Sequence, residues 1–475
     1  MTETNLKGWQ EHGDHLLVVQ PFMDTLIASG DGCHLIDVDG RRILDLAAGQ
    51  FCSILGHSHP GFIARLREQL GTLLHLGDQY VSPGVLRAAS RLAGVAPVDD
   101  GKCIFLSTGS EANECAMRMA KAYTGRTGML GFTRGYYGIS LATRNLSSIS
   151  DHPGHVDFQP APVGQHKLLT PIDHRCPVGL SHDRCNLVCL DASFETIGEQ
   201  AGNLAAVIVE PVLSAGGMIF PSTEYMRALR DRVHRVGALF IVDEAQTGFG
   251  RCGRWFDIDN HDIRPDMLVV SKSGGNGYPL GAVVVSGQIA EKLEAQGFSH
   301  LSSHQNDPLA AATVQAVIDI VDEEKLADHS REVGDYFIGR LEALKEKHPL
   351  VRQVRGRGLM IGMELDADEP NVALRLGMLC EQRGVHVTFS YFEPVIRFIP
   401  PLVLTKADVD QAVAVLDECM HAIRAGEGDL AKLLPQNPRS GPYTARMTQG
   451  MTPLRMIRGM WNTAPKEWLG KLKRS

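Results

Sequence analysis

Three stretches of this sequence carry residues that could act together on one small molecule. Lys272 ends the apolar run "DMLVVSK", and Gly274, Gly275 and Gly277 of the following "SGGNG" leave little bulk around its amine. An amine on a shielded stem is a nucleophile suited to forming a Schiff base with a carbonyl. Asp243 ends a second apolar run, "ALFIVDEAQ". A buried carboxylate there can hold a proton on a heterocyclic nitrogen and keep that ring positive. In "STGSEA", Thr108, Gly109 and Ser110 open a helix, so backbone N–H groups and hydroxyls form a seat for phosphate. An aldehyde, a ring nitrogen and a phosphate are the parts of pyridoxal phosphate (PLP). Singly these signals are weak, because a strand-end lysine is commonly a solvated residue and a strand-end aspartate a helix cap. "GGNG" also lacks the full spacing of a dinucleotide-binding loop. Their conjunction carries the reading.

For the three to converge, the chain must set strand ends side by side. "KCIFLSTGSEANECAMRMAKAYTG" reads as a strand, a turn and a helix burying Ala112, Cys115, Ala116 and Met119 at helical spacing. "LAAVIVEPV", "ALFIVDEAQ" and "DMLVVSK" are further strands, with "TEYMRALRDRVHRVG" a helix between the first two. Alternating strands and helices predict an α/β fold with a mostly parallel, helix-covered sheet, which binds ligands beyond the C-terminal ends of its strands. Residues 1–60 differ, with short strands and a "VDG" turn that suggests a hairpin. They are expected to join residues 321–426 in a small α+β domain built from both chain ends. Residues 61–320 form the large domain, and 427–475 a basic extension.

Composition narrows the class. The 475 residues include 44% hydrophobic and 21% charged, ordinary values for a globular protein. A net charge of -8 argues against a nucleic-acid partner. No apolar run approaches the length of a membrane span, and the N-terminus lacks a signal-peptide plan. Ten cysteines, many inside apolar patterns, suit reduced thiols and a cytoplasmic protein. The cluster His174, Cys176, His182, Cys185 and Cys189 matches no common zinc spacing and reads as an ordinary loop, so no metal ligands are assigned. The extension carries Trp461, Trp468 and many basic residues; docking on the protein's own surface or a dimer partner is expected before a membrane role.

"STGSEANECAMRMAK", "VEPVLSAGGMIFP", "IVDEAQTGFGR", "SKSGGNGYPLGA", "SSHQNDPLAAA" and "VRGRGLMIG" resemble the class III aminotransferases, PLP enzymes of fold type I. The resemblance covers about residues 20 to 425. It implies a large domain around a seven-stranded-type sheet and a homodimer, or dimer of dimers, with active sites at the subunit interface. It implies that Lys272 carries the cofactor, Asp243 meets its ring nitrogen, Gln246 bonds its ring hydroxyl and Tyr136 stacks on the ring. Gly109 and Ser110 would hold the phosphate, with Ser303 reaching it from the other subunit.

Within the family the resemblance extends to the 2,2-dialkylglycine decarboxylases. Gln50 of "AAGQFCSILGHSHP" matches their glutamine beside the leaving carboxylate, and Arg397 of "VIRFIPPL" matches the family arginine for the other carboxylate. Many ω-amino members mask that arginine with a glutamate where this chain has Ala215, which favours α-carboxylate substrates. Tyr136, Ile139, Ala215 and Asp78 replace a tryptophan, a methionine and two serines of the decarboxylases. An alkali-metal cation near Asp307 is left open. The implied reaction is decarboxylation-dependent transamination of a 2,2-dialkylglycine with pyruvate. The alternative is a non-decarboxylating aminotransferase acting between an amino acid or amine and a 2-oxo acid.

Overall fold

The computed structural model describes residues 1–147, 164–172, 176, 177, 179, 180, 185–390 and 392–441. His174, His182, Trp461 and Trp468 lie outside the described residues, as does most of the basic extension. Near the N-terminus β1 (Ile27–Asp31), β2 (His34–Asp37) and β3 (Arg42–Asp45) run antiparallel in succession. The "VDG" turn joins β2 to β3. Its Gly40 sits at φ +83, and the Asp37 carboxylate accepts from the N–H groups of Asp39 and Arg41 at 2.9 and 2.8 Å. A helix at Glu3–His12, capped by Thr2, precedes them and was not expected from the sequence.

The large sheet contains β4 (Lys102–Leu106), β5 (Gly128–Phe132), β6 (Gln165–Leu168), β7 (Leu204–Val209), β8 (Leu239–Asp243), β9 (Met267–Val270) and β10 (Gly281–Val285). Its order is β4-β10-β9-β8-β7-β5-β6, parallel except for β10, which is antiparallel to both neighbours. The expected α/β fold with a mostly parallel sheet is therefore present. Strands buried on both faces need continuous apolar runs, because alternate residues serve opposite cores. In β8, Phe240 and Val242 join one core cluster, while Leu239 and Ile241 join the other. The helix Gly109–Thr124 covers the second face with Ala112, Cys115, Ala116 and Met119, all buried.

Four strands follow as β11 (Val351–Arg357), β12 (Met360–Leu365), β14 (Thr388–Phe389) and β15 (Val395–Phe398), in an antiparallel sheet of order β11-β12-β15-β14. Between them in sequence, β13 (Val385–His386) leaves that sheet and pairs in parallel with β3, matching Leu44 to Val385. The two chain ends thus share backbone hydrogen bonds. The described start of the extension lies along the N-terminal segment. Asn437 Nδ2 donates to the carbonyl of Phe22 at 2.9 Å, and the Asn437 N–H donates to Asp24 at 2.6 Å. All ten cysteines are free thiols, and among the described residues no helix is long and apolar enough to cross a membrane.

Candidate active site

The ends of β8 and β9 and the N-terminus of the helix Gly109–Thr124 meet at one edge of the large sheet. Asp243 is the last residue of β8 and is buried. Its Oδ2 accepts from Asn113 Nδ2 at 2.7 Å and its Oδ1 from the Ala245 N–H at 2.9 Å. Burial pushes its pKa up, opposed by those two donors and by the charge of Lys272. Lys272 opens a short 3₁₀ turn two residues after β9 and keeps partial exposure toward the crevice. Burial of its amine lowers its pKa; Cys52, Asp243 and Glu210 pull it upward, and Arg397 pushes it further down. A lysine held this way offers its free amine at lower pH than an exposed one.

The expected phosphate seat is set by close packing. Thr108 caps the helix, its Oγ1 accepting from the Glu111 N–H at 3.2 Å, and Ser110 Oγ accepts from the Ile139 N–H at 3.1 Å. A Cβ on Gly109 would lie 3.1 Å from Ser271, the residue before Lys272, so the helix end and the lysine turn touch. A Cβ on Gly281 would stand only 2.2 Å from the carbonyl oxygen of Thr108, which is backbone and cannot swing away. Gly281→Ala is therefore expected to displace the helix end and weaken PLP binding about tenfold, since overpacking costs ~1–3 kcal/mol. Spectroscopic titration of the apoprotein with PLP checks this. The control is Gly71→Ala, whose added Cβ meets nothing within 4 Å.

On the other side of the crevice an unusual turn spans residues 48–51. Ala48 and Phe51, neither a glycine, sit at φ 48 and 66. Such backbone costs of order 1–3 kcal/mol per residue and persists only where its surroundings fix it. Asp45 does so: its carboxylate accepts from the N–H groups of Ala47 and Gly49 at 2.9 and 2.7 Å and pairs with His57 Nε2 at 2.8 Å. The turn buries Phe51, with Lys272 Nζ 5.9 Å and Arg397 Cζ 4.9 Å from its ring centroid. Arg397 is a buried β15 residue whose Nη1 lies 3.4 Å from Ser214 Oγ. The Tyr136 ring centroid is 5.7 Å from Lys272 Nζ. Position 215 is a buried alanine, with its carbonyl accepting from Ser390 Oγ at 2.9 Å.

Lys272, Asp243, Tyr136 and Arg397 are thus brought together, with Gly109 and Ser110 behind the lysine turn. Gln246, buried just beyond β8, turns its Oε1 into protein with no hydrogen-bond partner among the described residues. An orphaned buried amide oxygen costs about 1–3 kcal/mol unless a ligand group meets it. With a desolvated carboxylate, a shielded amine and an N–H-lined helix end, this donor set fits PLP. Gln50 and Ser303 are both exposed on this chain, Gln50 within the 48–51 turn and Ser303 before the helix Pro308–Glu323.

Three participants were not singled out from the sequence. Phe51 lies between Lys272 and Arg397; only the turn's backbone reveals its inward direction. Asn113 links Asp243 to the carbonyl of Tyr137, each at 2.7 Å. It sits one turn after Gly109 on the same helix, a spacing that could have suggested it. Glu210, one residue past β7, accepts from the Tyr136 N–H at 2.7 Å, and burial with the nearby Asp243 charge drives its pKa well up. It was as visible in "VIVEPV" as Asp243 was in "FIVDEA".

The chain is similar to known proteins over most of its length. Residues 18–420 match the family model Aminotransferase class-III. An uncharacterized aminotransferase of Schizosaccharomyces pombe is 34% identical over 410 residues, covering 84% of this chain and 91% of that protein. The mitochondrial alanine–glyoxylate aminotransferase 2 homolog 2 of Arabidopsis thaliana is 33% identical, covering 83% and 82%. Among solved structures, a PLP-bound amine transaminase from an uncultivated Pseudomonas species superposes with a TM-score of 0.77. It is 31% identical and covers 84% of this chain and 94% of that one.

Proposed function

Because the chain belongs to the class III aminotransferases and is a PLP-dependent aminotransferase, we propose that it moves the amino group of a small α-amino acid to a 2-oxo acid. The observation that supports this substrate class is Arg397, buried against Phe51 with alanine, and no glutamate, at position 215. A guanidinium there binds an α-carboxylate through charge-assisted bonds. Bound PLP supplies an aldehyde for the substrate amine and a positive ring that draws electrons from the bonds at Cα. Asp243, steadied by Asn113, would hold the ring-nitrogen proton; Gln246 would meet the ring hydroxyl and Gly109 and Ser110 the phosphate. Tyr136 and Phe51 keep water from the reacting carbon. Lys272, its pKa lowered by burial, would take the proton from Cα and pass it to the carbon contributed by the aldehyde of PLP, and would move it the opposite way when the 2-oxo acid is loaded.

Arg397→Ala is expected to raise the KM for amino acids roughly 10–100-fold, as losing charge-assisted bonds of about 1.5–3 kcal/mol would do. Turnover of a primary amine without a carboxylate should change little. Matching losses on both substrates would remove the α-carboxylate assignment.

A second reading is decarboxylation-dependent transamination of a 2,2-dialkylglycine, and its support is the identity of Gln50. An amide there can donate to a carboxylate set out of the ring plane, an effect of about 2–4 kcal/mol on the barrier for its loss. 2-Aminoisobutyrate has no Cα hydrogen, so it discriminates. CO2 release from it that falls sharply in Gln50→Ala, with alanine–pyruvate exchange preserved, supports this reading. No CO2 from the wild-type protein leaves simple transamination. The exposure of Gln50 and Ser303 is accommodated by a homodimer that covers both, with Ser303 serving the partner's phosphate. Domain limits near residues 60, 320 and 426 go with that arrangement.

A further inference from the structure

A buried ion network packs against the turn at residues 214–218. Glu393 lies between β14 and β15, four residues before Arg397, and its side chain is only 2% exposed. Its Oε1 accepts from Arg134 Nη1 at 2.6 Å, and its Oε2 stands 3.9 Å from Arg355 Nη2. Arg355 of β11 also donates from Nη1 to Glu364 Oε2 of β12 at 2.6 Å. Two guanidiniums and two carboxylates balance, so the network carries no net charge. Both arginines also grip the turn. Arg134 Nη1 reaches the carbonyl of Gly216 at 3.4 Å, while Arg355 donates to those of Gly217 and Met218 at 2.6 and 2.8 Å. The fit is close: a Cβ on Gly216 would lie 2.6 Å from the Arg134 carbonyl oxygen, and one on Gly217 3.3 Å from Glu393 Oε2. Met218, not a glycine, is held at φ 54, backbone that persists only where its surroundings fix it.

The network meets the crevice at two places. Ser214 Oγ, at the start of the turn, is 3.4 Å from Arg397 Nη1. Arg134 stands two residues before Tyr136, whose ring centroid is 5.7 Å from Lys272 Nζ. We propose that Glu393 is a positioning residue for the substrate carboxylate: through Arg134 and Arg355 it fixes the 214–218 turn, and the turn aims Arg397. The inference rests on the reading of Arg397 as the group that binds the α-carboxylate. A guanidinium fork binds a carboxylate in one plane, so its affinity depends on being held in that plane beforehand. With Glu393 neutral, Arg134 and Arg355 share the single carboxylate of Glu364. Arg134, the more exposed of the two at 17% against 10%, can then swing toward solvent and release Gly216. A network that only braced the fold would behave differently. Breaking one buried pair destabilises, whereas replacing both partners by apolar groups is often neutral.

The full-length PLP-loaded protein is titrated with propionate, which has a carboxylate but no amine, and binding is followed by the change in cofactor absorbance. Glu393→Gln is expected to weaken propionate binding about tenfold, the lower end of what losing charge-assisted bonds costs. The KM for L-alanine should rise by a similar factor with kcat little changed, the signature of lost ground-state binding. The KM for a primary amine without a carboxylate should stay where it is. The double change Arg134→Leu with Glu393→Leu removes one charge of each sign and the grip on Gly216. It should recover most of the melting temperature that Glu393→Leu loses, yet keep the weakened propionate binding. Recovery of binding together with melting temperature would make the network a brace only and overturn the inference. Arg397→Ala separates the two ideas. Propionate binding lost in Arg397→Ala but unchanged in Glu393→Gln sinks the role of Glu393 and leaves that of Arg397 standing. Propionate binding that survives Arg397→Ala overturns the α-carboxylate reading, and this inference with it.

Discussion

Lys272→Ala leaves a folded protein that still takes up PLP, but the cofactor is no longer fixed by borohydride and turnover falls by at least ~10³-fold. Proton transfer by a positioned side chain contributes about 10²–10⁴-fold on its own, and in the proposed function this residue also supplies the covalent tether. Retention of PLP follows because the contacts proposed for Gly109, Ser110, Asp243 and Gln246 do not pass through the lysine. Folding survives because Lys272 sits in a short turn at a crevice edge, where truncation removes few packed atoms. The wild-type rate should climb with pH as the amine loses its proton, and the midpoint should lie below the ordinary lysine value, because burial lowers the Lys272 pKa. Stopped-flow absorbance on each half-reaction, with dialysis to score PLP retention, checks all of this. Substantial turnover in the alanine variant would mean that another group carries the chemistry.

Asp243→Asn is the second large effect. The amide oxygen can still accept from the Ala245 N–H while its NH2 then faces the Asn113 Nδ2 donor, so one of the two bonds is lost, but the volume is unchanged and PLP remains attached to Lys272. A neutral amide, however, cannot hold a proton on the ring nitrogen as a carboxylate does. Loss of one preorganised electrostatic partner in a dry site costs roughly 10²–10³-fold in turnover. The burial that raises the Asp243 pKa also strengthens its hold on a ring proton, because little water competes. Asp243→Glu, which keeps the charge but lengthens the arm, should recover part of the rate where asparagine does not. An asparagine variant near wild-type speed would assign the ring nitrogen to a different partner, with Glu210 the first to test.

The sheet was legible because strands buried on both faces must be continuously apolar. β7, β8 and β9 all announce themselves this way, and Asp243 and Lys272 are polar residues just past such runs. Glycine gave the phosphate seat, since the close approaches at Gly109 and Gly281 leave no room for a side chain. Phe51 was hidden because its role depends on positive φ values at non-glycine residues, which no local propensity favours. Instead, the turn is imposed by Asp45 and His57. The pairing of Arg134 with Glu393 was equally hidden, since contacts between residues 259 positions apart leave no periodic trace. The Glu3–His12 helix was missed for a simpler cause: its apolar content is low, and a cap at Thr2 with packing of Trp9 on Phe22 at 5.8 Å supports it.

The parallel pairing of β3 with β13 has a consequence for how the protein is born. Leu44 leaves the ribosome early but cannot meet Val385 until most of the remaining chain has been made. At synthesis rates of about 5–20 residues per second, that wait lasts roughly 20–70 s. During it, the outer edge of β3 presents unpaired N–H and C=O groups beside apolar Ile43 and Leu44, a template for pairing with another nascent chain. Arg397 arrives on the ribosome later still, so a nascent chain can set Lys272 beside Asp243 before it possesses the arginine proposed to hold the substrate. Newly made protein should therefore depend on chaperone shielding in proportion to translation time, and slowing elongation in the stretch between residues 45 and 385 should lower the soluble yield without altering the finished enzyme.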